Sequence, residues 1–435
     1  MDKLNLLTIL LIIVIAFPAF VFSSNFEAEI PTYNPQITFF NDSSFSYEFI
    51  RVLGQSAYNT SSAYECLATA SKIKSGDMES WYSAWHHTAL ETEIKANNHI
   101  SKGENDTARN LYLCASNYYR VCEFYLHGNP EDPRILENWN KSHECFQIAT
   151  QLSTPQIEAV EIPYENTTLP GYFYKVNDSG KPRPTLLLQT GFDGTQEELY
   201  VYAVAANQRG YNVLTFEGPG QGRVIRVQGL PFRSDWEKVV EPVVTYALSR
   251  KDVDSDHLAI YGLSFGGYLA PRAAAYDHRI KAVIANGGVY DPIMGMPEEF
   301  NISREEFVDY LKSNPQEFND EIMKRMNSST LMRWSFENGM YTFKASSPSE
   351  FLPKYSECNM IDSADKIVCP TLVCDSENDL TMSGQSQALY KHLNCTKTFI
   401  LFKTSEGAGD HCQAGNLPLS NKRVFDWLDE TFNRT

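Results

Sequence analysis

The chain has 435 residues, a length that suits two domains better than one, and its 43% hydrophobic and 13% aromatic content supplies a large core. Its formal net charge of -17 leaves no basic surplus to neutralise phosphates, which argues against nucleic acid or an anionic membrane surface as partner. It contains no C-x-x-C pair and no H-E-x-x-H run, so neither a metal site nor a metal cofactor is expected.

The N-terminus reads as a targeting signal. Lys3 precedes a nearly all-apolar run from Leu4 to Phe22, and Val21 and Ser23 suit the positions just before a cleavage site, so residues 1–23 are expected to be removed. An uncleaved anchor is the competing reading, disfavoured by Pro18 and the small residues after it. No later run is long enough to span a bilayer. N-x-S/T sequons begin at Asn41, Asn59, Asn105, Asn140, Asn166, Asn177, Asn301, Asn327, Asn394 and Asn433. Their density points to a glycosylated protein, secreted or held in an endomembrane lumen. Nine cysteines fall into two groups, Cys66 to Cys145 and Cys358 to Cys412. An oxidising lumen predicts disulfides among them, with the odd count leaving at least one thiol over; Cys412 is the candidate free thiol.

Residues 24–152 are expected to form an all-helical cap domain. From about Ser46 to Leu152 apolar and aromatic residues recur at three- and four-residue spacing, with glycine punctuation at Gly76, Gly103 and Gly128. Trp81, Trp85, Tyr118, Tyr119, Phe124 and Tyr125 are read as core in preference to a cavity lining.

Residues 153–435 change period. Ile157–Ile162 alternates as a half-buried strand, with Gly171–Val176 as its hairpin partner. Strands at Thr185, Tyr211, Leu258, Lys281, Thr371 and Thr398 then alternate with helices at Glu197, Asp235, Gly267, Gly384 and Leu417. That pattern predicts an α/β fold, a mostly parallel sheet with helices on both faces. The interval of about 291–357 breaks the alternation and is expected to be a helical lid above the strand ends, where open α/β sheets bind ligands.

The chemistry concentrates after the strand at Leu258. Tyr261 to Ala270 reads Y-G-L-S-F-G-G-Y-L-A, a strand, a tight G-x-S-x-G turn and a helix start. This is the setting of a nucleophile elbow, which puts Ser264 on a sharp bend with its hydroxyl above the sheet and the Phe265 amide facing an oxyanion. The base and its orienting acid follow in chain order. The strand at Thr371 runs into a loop carrying Asp375, Glu377 and Asp379; Asp379 lies farthest past the strand end and is preferred. Of the two later histidines, His392 falls in a helix, whereas His411 follows the last strand in E-G-A-G-D-H and is read as the base. A second oxyanion amide is assigned to Phe192 in Q-T-G-F-D-G-T, where Gly191 permits close approach; Asp193 is expected to cap a helix starting near Thr195, in preference to orienting substrate. The Gly-rich run E-G-P-G-Q-G-R from Glu217 lacks the spacing of a nucleotide loop and reads as a plain turn.

The stretches G-F-D-G-T-Q-E-E-L, F-E-G-P-G-Q-G-R, F-R-S-D-W-E-K-V-V-E-P-V, Y-G-L-S-F-G-G-Y-L-A-P-R and E-G-A-G-D-H-C-Q-A-G, with G-D-M-E-S-W-Y-S-A-W in the helical part, carry a family resemblance. The chain resembles the α/β-hydrolases related to 2,6-dihydroxypseudooxynicotine hydrolase and the fungal polyketide chain-shortening hydrolases. The resemblance implies a helical cap over a serine hydrolase core, a homodimer, no cofactor, and a triad of Ser264, Asp379 and His411. It further implies cleavage of an ester, or of a carbon–carbon bond beside a ketone, in a small-molecule substrate. The alternatives are a peptidase of the prolyl-oligopeptidase type, an acyltransferase and a catalytically silent binding protein.

Overall fold

Helices come first in the computed structural model, which describes residues 38–379 and 381–434; the expected signal segment lies outside them. They are α1 (Ser43–Gly54), α2 (Ala63–Ala70), α3 (Met78–Ile100), α4 (Asn105–Cys122) and α5 (Pro133–Gln151). All but α4 start where a side chain takes up an amide that the first turn leaves unpaired. Asp42 accepts from Phe45, Ser62 from Glu65, Asp77 from Ser80 and Asp132 from Arg134. From Tyr112 to Cys122 every residue of α4 is buried, because it packs against both α3 and α5. Trp81, Trp85, Tyr118 and Tyr119 are core residues as expected, and the Trp81 indole donates to the Val121 carbonyl at 3.0 Å.

Eight strands follow in one sheet: β1 (Glu158–Tyr164), β2 (Thr167–Tyr174), β3 (Arg183–Gln189), β4 (Asn212–Phe216), β5 (Val253–Leu263), β6 (Ala282–Asn286), β7 (Thr371–Ser376) and β8 (Lys397–Phe402). Their order is β1-β2-β4-β3-β5-β6-β7-β8. The β1–β2 and β2–β4 pairs are antiparallel and the other pairs parallel. β2 starts earlier than its sequence suggests, running through Pro170 after a two-residue turn with Glu165 at φ 44°. Proline reads as a strand breaker, and here register with β1 overrides it.

The sheet is covered on both faces by α6 (Tyr200–Gln208), α7 (Gly222–Arg226), α8 (Glu237–Ser249), α9 (Gly266–Tyr276), α15 (Gln385–His392) and α16 (Leu417–Thr431). Between β6 and β7 the break in alternation is helical: α10 (Met296–Glu299), α11 (Arg304–Ser313), α12 (Pro315–Ser328), α13 (Thr330–Thr342) and α14 (Pro348–Ser356). Strand alternation divides the core. Leu186 and Leu188 join one cluster with α1 to α5, while Leu187 faces the other, with α8, α9 and the inserted helices. The described residues form one compact unit.

The cysteines correct one expectation. All nine, Cys412 included, are free thiols, and all but Cys395 are buried. They serve as small core side chains with local partners: Cys114 Sγ donates to the Asn59 carbonyl at 3.4 Å, and Cys122 Sγ to the Tyr119 carbonyl at 3.0 Å.

Candidate active site

β5 ends in a turn too tight for ordinary residues. A Cβ on Gly262 would sit 1.9 Å from the Gly266 carbonyl oxygen, and Ser264 is held at φ 60°, in the left-handed region. The bend is pinned by Ser264 N donating to the Asn286 carbonyl at 2.8 Å and Gly267 N to the Ser264 carbonyl at 2.7 Å. Ser264 Oγ thereby stands at the start of α9.

His411 Nε2 lies 2.8 Å from Ser264 Oγ, and His411 Nδ1 lies 2.5 Å from Asp379 Oδ2. The other carboxylate oxygen of Asp379 accepts the amides of Thr381 and Met382, each at 2.9 Å. Burial opposes charge on both side chains. Their mutual attraction outweighs it, holding Asp379 below the usual carboxylate value and His411 well above the usual imidazole value. The competing acids point elsewhere. Asp375 accepts from Gln387 and the Ser376 amide, and burial followed by the charge of Asp379 pushes it up to about 6. Glu377 accepts the Thr404 amide at 2.8 Å. His392 is an exposed residue stacked on Tyr290.

The loop after β3 meets the elbow where Gly191 allows it. A Cβ there would lie 2.6 Å from Phe265 N and 3.0 Å from Ser264 Cβ. This sets the Gly191 backbone against the elbow, and the amides of Phe192 and Phe265 donate to no other backbone group among the described residues. Asp193 caps no helix, because α6 begins only at Tyr200; it instead accepts from Arg51 of α1 at 2.6 Å. Arg51 is also bidentate to Glu198, at 2.6 Å for each bond. The Phe192 ring packs among Phe232, Phe265, Trp334, Phe343, Phe351 and Tyr355, which fastens the inserted helices to this loop.

Several residues around the site carry no signal of their own in the chain. Gln413, fully buried, joins the histidine loop to three elements: its amide nitrogen donates to Asn286 Oδ1 at 2.9 Å and Ser376 Oγ at 3.0 Å, and its oxygen accepts from Ser420 at 2.7 Å. Cys412 and Gln413 are both left-handed, at φ 52° and 56°. The Tyr47 hydroxyl reaches the His411 carbonyl at 3.4 Å. Gln413 lies inside E-G-A-G-D-H-C-Q-A-G, the one place where a motif could have flagged it. Among the described residues no cluster of His, Cys, Asp and Glu suits a metal ion, and no helix is long and apolar enough to cross a membrane.

Comparison with known proteins agrees with this architecture. The model of the family "Esterase FrsA-like" matches residues 51–387. Hydrolase LUC6 of Fusarium sp is 36% identical over 89% of this chain and 96% of its own length. The 20-hydroxy-prefusarin hydrolase FUS2 of Gibberella moniliformis is 34% identical over 89% and 96%. The crystal structure of 2,6-dihydroxy-pseudo-oxynicotine hydrolase superposes with a TM-score of 0.68 at 21% identity, covering 87% of this chain and 95% of that one, a likeness of fold. With a family match across most of its length and relatives this similar from end to end, the chain belongs to the FrsA-like esterase family of α/β-hydrolases and is a hydrolase.

Proposed function

We propose that the protein is a serine hydrolase that cleaves an ester, or a carbon–carbon bond beside a ketone, through an acyl-enzyme. The observation that carries this reading is the chain of hydrogen bonds from Ser264 through His411 to Asp379 at the tip of a strained turn. In the neutral imidazole, Nδ1–H donates to Asp379 and Nε2 accepts from the serine hydroxyl. Ser264 Oγ attacks the substrate carbonyl while His411 takes its proton, and Asp379 stabilises the imidazolium. The amides of Phe192 and Phe265 bind the developing oxyanion. His411 then protonates the departing alkoxide or carbanion and activates the water that frees Ser264. FUS2 is named for hydrolysis of 20-hydroxy-prefusarin, which favours a small organic carbonyl compound over a peptide.

Residues 24–152 act in this reading as a cap and about 291–357 as a lid; both reach the loop at Phe192, through Arg51 and through Trp334 and its neighbours. The test is turnover of aryl esters and β-diketones by wild type and Ser264→Ala. The variant should fold and lose about 10⁴-fold or more in kcat; a folded variant that keeps wild-type turnover contradicts the proposal.

We further propose that the chain enters the secretory route, with its signal cleaved after Ser23, and is N-glycosylated. All ten sequon asparagines are exposed, while Asn117, Asn138, Asn212, Asn286, Asn338 and Asn421 are buried. Peptide-N-glycosidase should shift the secreted protein to a faster, sharper band; an unchanged mobility would count against glycosylation.

A further inference from the structure

The run E-G-P-G-Q-G-R from Glu217 to Arg223 reads as a plain turn, yet its side chains face the loop that carries Phe192. Gln221 is 2% exposed. Its Oε1 accepts the Gly218 amide at 3.0 Å, and its Nε2 donates to both the Thr190 carbonyl at 2.9 Å and the Gly191 carbonyl at 3.0 Å. Both hydrogens of the amide are therefore spent on consecutive carbonyls of one loop.

The second of these bonds has a geometric consequence. The Gly191 carbonyl and the Phe192 N–H belong to one peptide plane, and in a trans peptide they point in opposite directions. Holding the Gly191 oxygen against Gln221 aims the Phe192 N–H away from Gln221. The peptide already lies against the elbow, as the 2.6 Å approach of a Gly191 Cβ to Phe265 N requires. The next peptide is held in the same manner, because Asn338 Nδ2 of α13 donates to the Phe192 carbonyl at 3.1 Å. The rest of the motif stiffens the brace. Glu217, fully buried, accepts the amides of Gln196 at 2.9 Å and Arg223 at 2.7 Å, and a Cβ on Gly222 would lie 1.8 Å from Glu217 Oε1.

We infer that Gln221 is the positioning residue for the oxyanion hole, holding the Gly191–Phe192 peptide so that its N–H meets the oxyanion. This rests on the reading of Phe192 N as an oxyanion donor. Gln221 touches no substrate; it acts through the peptide it holds. A preorganised donor contributes only where charge develops, so its loss falls on the transition state.

The test compares wild type, Gln221→Met, Gln221→Glu and Ser264→Ala. Readouts are kcat and KM on one aryl ester and the affinity of an aryl trifluoromethyl ketone, which adds Ser264 and presents an oxyanion. Removing an oxyanion donor outright costs roughly 10²–10³-fold in kcat, and misaiming one should cost about 10- to 100-fold. KM is expected to stay within about threefold, and ketone affinity to fall in step with kcat. Gln221→Glu keeps the size and the acceptor for Gly218 but sets a carboxylate oxygen against two carbonyls, so it carries the test should Gln221→Met fail to fold. A folded variant with kcat and ketone affinity within about twofold of wild type overturns the inference. If Ser264→Ala is dead while Gln221 variants are unaffected, only this inference falls; an active Ser264→Ala removes the proposed function itself.

Discussion

Asp379 and His411 each stabilise the charged form of the other inside a buried site, and that coupling sets how the proposed activity responds to pH. His411 must be neutral to accept the Ser264 proton. With its ionisation held well above the ordinary imidazole value by the facing carboxylate, kcat/KM should rise with pH through a transition higher than that of free histidine. Asp379→Asn removes the opposing charge and leaves burial, which acts in the other direction. The transition should therefore move to lower pH while kcat drops about 10⁴-fold, as the imidazole loses its orienting partner. A pH–rate profile of the two proteins checks this; an unshifted transition in the Asn variant would show that another group controls the acid limb.

At the scale of elements, legibility followed the range of the interaction. The elbow is readable because its requirements are local: a strand, two glycines around Ser264 and a helix start within ten residues. His411 is readable because it follows the last strand. Asp379 was separable from Asp375 and Glu377 only by how far it lies past β7, and its hydrogen bond to His411 is what distinguishes it in space. Asp193 misled, because capping is the usual work of an aspartate in a β–α loop, whereas its partner Arg51 lies 142 residues away in the sequence. Asn338, 146 residues from Phe192, carries no local signal at all. Helix α6 starts later than its pattern suggests because the chain first makes tighter turns, with Leu199 N donating to the Gln196 carbonyl at 3.2 Å and Tyr200 N to the Glu197 carbonyl at 3.3 Å. Disulfide pairing is not legible in cysteine number or compartment, because neither says whether two sulfurs approach each other.

Over the described molecule, outlying helices and the sheet converge on one short loop. Arg51 reaches it from α1, Asn338 from α13 and Gln221 from the turn after β4. Asn338 is itself engaged by buried His127 at 2.8 Å, whose other ring nitrogen lies 2.7 Å from Glu123, and Glu123 pairs with Arg226. A hydrogen-bonded path thus links the helical region, α7 and the inserted helices to the carbonyl of Phe192. Such a path favours one arrangement of the loop, which is what a preorganised oxyanion site needs.

Fluorophosphonate labelling of the folded protein, with the modified peptide mapped by mass, tests the proposed nucleophile most directly. Stoichiometric labelling on Ser264, lost in Ser264→Ala, is the expected result. A folded wild-type protein that stays unlabelled, or one labelled at another residue, would contradict it.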